Sequence, residues 1–202
     1  MKNFVLAVVR GFYRLLFKIE IEGLENIPDD KNFLVVPNHM SNFDPPLIAA
    51  FLPVDMAYMA KASLFKIPVV GSLIRAFGAF PVKKTGNDIA AVKLAIKVLK
   101  DGKSLTLFPE GRRIKTPGVL GEGKQGAAMI AAKSGVGFLP VGINTRYRFR
   151  GVVKLSVGEY IDFSEYHDKR LNSEALQQVT NELLMPKIAE LAGAKVYADK
   201  DC

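Results

Sequence analysis

His39 and Asp44, five residues apart, are the first pair in this chain whose side chains could do acid–base chemistry. An imidazole titrates near ~6.5, so it is usefully neutral at physiological pH. A carboxylate held on one ring nitrogen fixes the tautomer and leaves the other free to take a proton from a hydroxyl or a water. The same carboxylate steadies the imidazolium as it forms. On a continuous helix a spacing of five sets the two side chains about 140° apart, out of reach. In a turn between a strand and a helix they can meet, and the neighbours describe such a turn. Phe33, Leu34, Val35 and Val36 form a short apolar, partly β-branched run that reads as a buried strand, and Pro37 ends it. Asp44 before Pro45 reads as a helix N-cap with proline at the first helical position. The end of a strand is where an α/β sheet usually places its working residues.

Two further loops carry chemistry. Glu110, Gly111, Arg112 and Arg113 leave a strand expected over residues 105–108, and Lys83 and Lys84 close another expected over residues 78–84. If these strands share a sheet, a base–carboxylate pair faces a cluster of cations. Arginine suits bidentate recognition of phosphate, and lysine adds a point charge. The chain has no Gly-x-Ser-x-Gly elbow, and its single cysteine, Cys202, is the last residue. No protein nucleophile is evident, so the attacking hydroxyl belongs to a substrate. With two histidines, and His167 in a charged stretch that reads as a surface loop, a metal site is not expected.

The elements that must position these residues alternate. Short strands are expected from Ile19 and Ile21, over 56–59, over 137–144 and over 152–157, the last two joined by a connection that holds Arg146, Arg148 and Arg150. A helix capped by Asn87 or Asp88 runs to Lys100, with Ile89, Val92, Ile96 and Leu99 as its inward stripe. A helix of small residues over 124–133 suits close packing on a sheet, and the loop with Gly118, Gly121 and Gly123 reads as flexible. A last helix, capped by Ser173, is expected to kink at Pro186 and end at Gly193. The order predicts an α/β fold: a single domain with a mixed sheet flanked by helices over residues 23–202, preceded by an amphipathic helical element over residues 1–22.

Charge is uneven. Residues 61–125 carry 13 basic and 4 acidic groups, so the whole of the net +8 lies there. A local excess points to an anionic partner, either a membrane surface or a phosphorylated substrate. Nucleic acid is not expected, since the lysines lie between apolar runs and no zinc-finger or RNP-type signature appears. Around residues 4–19, Arg10, Arg14 and Lys18 recur every four residues on one helical face, and nearly everything else is apolar. Such a helix packs on the domain, lies in a membrane interface, or does both. The run is far too short to span a bilayer, and no signal-peptide cleavage site follows. The apolar stretch over 62–80 reads either as core or as a lipid-touching or tunnel-lining segment.

Taken together, these motifs resemble the 1-acylglycerol-3-phosphate acyltransferases of the glycerolipid acyltransferase superfamily over residues 24–157. Asn38, His39 and Asp44 match the Asn-His-x-x-x-x-Asp motif, and Phe108, Pro109, Glu110 and Gly111 match Phe-Pro-Glu-Gly, 70 residues on. Arg113 stands where the family has arginine, Arg112 where it usually has threonine, and Lys84 where its second motif ends in arginine. Leu139-Pro140-Val141 resembles the fourth motif, with Gly137 where proline is common. The resemblance implies transfer of a fatty acyl group from acyl-CoA or acyl-carrier protein to the free hydroxyl of lysophosphatidic acid, giving phosphatidic acid for phospholipid biosynthesis. It implies His39 as general base and Asp44 as its orienting partner. Glu110 and Gly111 then shape the acceptor site, and Lys83, Lys84, Arg112 and Arg113 supply its phosphate-binding cations. It implies no cofactor and no metal. The expected partners are a lysophospholipid, the acyl donor and an anionic membrane surface, at the cytoplasmic face of the cell membrane and bound peripherally or monotopically. Two alternatives remain open: an acyltransferase for another lysolipid acceptor, and a non-catalytic phospholipid-binding protein of the membrane surface.

Overall fold

Every residue singled out for chemistry that the structure describes sits at one edge of a seven-stranded sheet or in the loops that leave it. The computed structural model describes residues 2–82, 88–167 and 169–196. In chain order its strands are β1 (Lys18–Glu22), β2 (Leu34–Pro37), β3 (Met56–Lys61), β4 (Ala79–Val82), β5 (Ser104–Thr106), β6 (Val119–Leu120), β7 (Phe138–Thr145), β8 (Val152–Val157) and β9 (Lys195–Val196). The helices are α1 (Lys2–Leu16), α2 (Asp44–Phe51), α3 (Pro68–Ala76), α4 (Ile89–Lys100), α5 (Gly126–Ser134), α6 (Ser173–Val179) and α7 (Met185–Ala192).

The main sheet runs β1-β8-β7-β2-β5-β3-β4, and β6 pairs with β9 apart from it. Strands β7, β2, β5, β3 and β4 are parallel. Strand β8 is antiparallel to β7, and β1 is parallel to β8. The C-terminal ends of the five parallel strands therefore share one edge with the β7–β8 turn and the start of β1. This is the mixed α/β sheet that the sequence predicts. Residues Lys18–Glu22 fall within the expected N-terminal element, yet they are the sheet's edge strand, so only α1 stands outside the sheet.

Alternation along the strands builds two cores. Leu34, Val36, Leu105 and Phe138 face α4, α5 and α7, where Ala95, Leu99, Ala128, Ala131 and Ile188 close against them. Val35, Leu139, Val141, Ile143 and Leu155 face the other way, onto Tyr13 and Phe17 of the α1 end and Leu47, Ile48 and Phe51 of α2. The small side chains of α5 let it lie close to the sheet, as its composition predicts.

Some local expectations are corrected. Of the expected α4 stripe, Val92, Ile96 and Leu99 pack on the core beside Ala91 and Ala95, but Ile89 is 67% exposed at the first turn, next to the Asp88 cap, which accepts from Ala91 N (3.1 Å). The last helical segment is capped by Asn172, not Ser173: its side chain accepts from Ala175 N (2.8 Å). The bend before Pro186 is a π-helical turn over Thr180–Leu184, in which Thr180 Oγ1 donates to Leu176 O (2.8 Å). The glycine loop is pinned by Asn181, which bonds both Gly123 N and Gly123 O (2.8 and 2.9 Å). Residues 62–80 are core only in part: Phe77 is buried, and Leu73, Ala79 and Phe80 pack against the two cores. Leu64, Ile67 and Val69 are exposed, and only Gly71, Phe77 and no residue of the intervening turns besides are buried there.

Gly137 and Gly142 explain two departures from ordinary strand composition. Gly137 N donates to Tyr160 Oη (3.0 Å), which a proline cannot do, and a Cβ there would lie 2.2 Å from Ile161 O. At Gly142 a Cβ would lie 2.2 Å from the Leu191 carbonyl carbon, so α7 can rest on β7 only because that side chain is absent. Gly142→Ala is expected to push α7 off the sheet at a cost of about 2–3 kcal/mol, read as a lowered urea midpoint; an unchanged midpoint contradicts the packing described.

Candidate active site

The loop that leaves β2 is anchored before it reaches the histidine. Asn38 is buried, donates from Nδ2 to Ile143 O (3.0 Å) and accepts from Ile143 N at Oδ1 (2.7 Å), which extends the β2–β7 pairing by a side chain. His39 follows, half-buried. Its Nδ1 lies 2.8 Å from Asp44 Oδ2. The same oxygen accepts Met40 N (2.7 Å) and Ser41 N (2.6 Å), and Oδ1 accepts the Tyr147 hydroxyl (2.6 Å). Asp44 is fully buried. The two backbone N–H groups converging on Oδ2 suit a carboxylate acceptor, an arrangement in which His39 Nδ1 donates to Asp44 and Nε2 is left as the basic nitrogen. Asp44 is not the N-cap that Asp-Pro predicts. It is the first residue of α2, and its carboxylate turns back onto the preceding loop rather than onto its own helix.

Tyr147 escapes sequence reasoning. It lies 103 positions from Asp44 in a connection otherwise notable for its arginines, and nothing in its spacing marks it. The sheet brings it in, because the end of β7 neighbours the end of β2. Burial, reinforced by the negative charge of Asp44, holds its phenol far above the ordinary tyrosine range, so it stays a donor. Its ring packs on Phe17 (5.6 Å between centroids) and Phe43 (5.4 Å). Tyr13 of α1 joins the same cluster and donates to Phe43 O (2.6 Å). The N-terminal helix thus packs directly against the support of the histidine–aspartate pair.

The second loop is tied to the first through Glu110. One carboxyl oxygen accepts His39 N (2.7 Å) and the other accepts Gly121 N (2.9 Å). Glu110 is 2% exposed, and burial raises its pKa even though both N–H bonds oppose the shift. It therefore shapes the site from behind, by fixing His39's backbone. The absence of a side chain at Gly121 leaves room for this approach: a Cβ there would crowd Ile114 Cδ1 (2.8 Å) and come within 3.4 Å of Glu110 Oε2. Ile114 N donates to His39 O (2.8 Å), and Phe108 stacks on the imidazole with centroids 4.1 Å apart, so ring and backbone are both held.

The cations divide. Gly111, Arg112 and Arg113 are exposed at the edge, Gly111 with φ of 64°, and Arg113 Nη1 donates to Asn42 Oδ1 (2.9 Å), which places its guanidinium beside the His39 loop. Lys83 and Lys84 lie outside the described residues. The strand they follow, β4, ends at the same edge, three strand spacings of ~4.8 Å from β2. Lys61, at the end of the intervening β3, is exposed there.

The sequence matches the profile of the family described as Acyltransferase over residues 18–144, more than half of its length. The chain belongs to that acyltransferase family. A 1-acyl-sn-glycerol-3-phosphate acyltransferase of Bacillus subtilis is 30% identical over 195 residues, covering 91% of this chain and 96% of the relative. A chloroplastic 1-acyl-sn-glycerol-3-phosphate acyltransferase of Arabidopsis thaliana is 37% identical over 62% of this chain, and the match takes in 35% of that longer relative. The crystal structure of a 1-acyl-sn-glycerophosphate (LPA) acyltransferase from Thermotoga maritima is 34% identical, with a TM-score of 0.69 over 94% of this chain and 81% of its own. The α/β sheet and its flanking helices are those of that fold.

Two outcomes follow from this geometry. Tyr147→Phe keeps the ring and removes one donor to a buried carboxylate, so kcat should fall about tenfold with little change in KM for either substrate; an unchanged kcat removes Tyr147 from the account. For Glu110 the sign runs with its raised pKa. The stability it contributes is full below the unfolded carboxyl value of ~4.3 and is lost as pH climbs through the higher folded value. The stability of wild type minus that of Glu110→Gln should therefore decline between pH 4 and pH 8 in urea titrations, and a constant difference would mean that Glu110 titrates normally.

Proposed function

We propose that the protein transfers a fatty acyl group from a thioester donor, acyl-CoA or acyl-carrier protein, to the free hydroxyl of 1-acylglycerol-3-phosphate, forming phosphatidic acid for phospholipid synthesis. The observation that carries this reading is the His39–Asp44 pair, joined through Nδ1 so that Nε2 is left free, at a sheet edge lined with cations. The names of the relatives supply the substrate class.

In the proposed reaction His39 Nε2 takes the hydroxyl proton as the oxygen attacks the thioester carbonyl. The tetrahedral intermediate then expels the thiolate, which recovers the proton from the imidazolium. Asp44 stabilises that cation without taking its proton. Arg113 and Arg112, with Lys83 and Lys84, hold the acceptor's phosphate, and Gly111 lets the loop approach it. The step needs no metal and no bound cofactor. Both carboxyl groups near His39 are already spent on protein donors, four on Asp44 and two on Glu110.

The acceptor is a lipid, and α1 offers a way to reach it. Phe4, Val8, Phe12 and Leu15 form an exposed stripe, 49–74% accessible, on the side away from Tyr13 and the core. Among the described residues no helix is long and apolar enough to cross a membrane. We assign α1 to the membrane interface, apolar stripe down, with the protein held peripherally or monotopically at the cytoplasmic face over anionic lipid. Exposed Leu64, Ile67 and Val69 suit the same surface.

The test is acyl transfer by purified protein with lysophosphatidic acid, offering acyl-CoA and acyl-carrier protein separately, with His39→Ala in parallel. Wild type should yield phosphatidic acid, and the variant should lose at least about a thousandfold in kcat while keeping its circular dichroism. A variant near full rate refutes His39 as base, and no product from wild type with either donor refutes the substrate assignment.

A further inference from the structure

The turn between β7 and β8 carries Arg146, Arg148 and Arg150, all exposed, and between the last two stands Phe149, 73% exposed. None of the three guanidinium groups has an ion-pair partner among the described residues. A cleft of about 340 Å³ opens beside Arg146 and Arg148, with Asn144, Thr145 and Lys154 on its walls. The side chains there are donors of the kind a phosphate headgroup requires.

The backbone of this turn is held in an unusual shape. Tyr147 and Arg150 have φ of 47° and 58°, and they are the only non-glycine residues with positive φ among those described. Side chains rarely adopt that region unless the surroundings fix them there. Tyr147 is fixed by its bond to Asp44. Arg150 is fixed by α1: its N–H donates to Leu16 O (2.6 Å), and Lys18 N donates to Gly151 O (2.9 Å). The turn is thereby joined to the end of the helix that carries exposed Phe12 and Leu15, with Arg14 and Lys18 exposed beside them. Tyr147 points in and Phe149 stays out. Exposed apolar tips and cations thus stand both on the turn and on the end of α1 to which it is bonded.

We propose that the β7–β8 turn is a second lipid-contacting element. Phe149 enters the acyl boundary, and Arg146, Arg148 and Arg150 bind the phosphate-bearing headgroups of an anionic membrane. The inference rests on the reading that the protein works at a membrane surface. It commits the turn to lipid rather than to an acidic carrier protein, because a bare phenylalanine within a cationic rim matches a charged layer over an apolar one, and because the turn is bonded to the end of the helix that bears the α1 stripe. Headgroup contact then occurs one residue either side of the tyrosine that supports Asp44, which sets the His39 pair at the level where a lysolipid hydroxyl lies.

The experiment is co-sedimentation of the full chain with sonicated vesicles, either zwitterionic or containing 30% anionic lipid, at low and high salt. Wild type is compared with the triple variant Arg146→Gln, Arg148→Gln, Arg150→Gln, with Phe149→Ser, and with a variant in which Phe4, Val8 and Leu15 are serine. Thermal melts establish that each is folded. The triple variant should lose about 100-fold in partitioning to anionic vesicles, with little change on zwitterionic ones and a weaker dependence on salt than wild type. Phe149→Ser should weaken binding to both. Wild-type partitioning by the triple variant overturns the proposal, while loss of binding in the α1 variant alone keeps the membrane reading intact. A wild type that binds neither vesicle overturns both. A triple variant that binds vesicles normally but loses rate only with acyl-carrier protein makes the turn a protein-docking surface instead.

Discussion

The buried carboxylate of Asp44 is the constraint on which the site depends. A charge with no solvent access is costly unless donors surround it, and removing one of its partners leaves the penalty behind. Four donors meet this one, from His39, Met40, Ser41 and Tyr147. To deliver them the chain must turn tightly after β2, start α2 at Asp44 itself, and bring the end of β7 beside the end of β2. The parallel pairing of Leu34–Pro37 with Phe138–Val141 does the last of these. The imidazole is then fixed on three sides: Asp44 at Nδ1, Phe108 against its face, and Glu110 on its backbone.

The same constraint ties the His39 loop to the N-terminal helix. Tyr147, Phe43, Phe17 and Tyr13 form one aromatic cluster, in which Tyr13 and Phe17 are buried and Phe43 closes the outer side. Arg10 Nε donates to Ala50 O in α2, and Arg14 lies over Phe51 at 5.9 Å. Helix α1 is therefore amphipathic in two senses. Its inner side is part of the core that supports Asp44, and its outer side is an uncovered apolar stripe. In the proposed function this lets one helix hold the protein on lipid while bracing the residue that makes His39 a base.

Much of this was legible in the residues. Apolar runs bounded by Pro37, Pro53 and Gly102 located strands and helices because local pattern dictates them. The motif around His39 gave both members of the pair because they are close in sequence. What the sequence hid depends on long-range closure. Tyr147 meets Asp44 only through strand order. Glu110 faces backbone rather than open solvent because Gly121 leaves room behind it. Asp44 looked like a helix cap since Asp-Pro is a common helix start, but a loop with three donors to offer outcompetes its own helix. Ile89 looked inward by periodicity, yet as the first residue of α4 it lies beyond the part of the helix that the core covers, while Val92, Ile96 and Leu99 of the same stripe reach it.

The central claim is that Asp44 fixes the proton of His39 on Nδ1, leaving Nε2 as the base. It is read directly from nitrogen NMR of protein labelled at its two histidines, His39 and His167, with His39→Gln to assign the signals. Above the histidine titration, the account predicts a protonated Nδ1 and an unprotonated Nε2 for His39, and loss of that preference in Asp44→Asn. A His39 that carries its proton on Nε2, or that exchanges freely between tautomers, would contradict it.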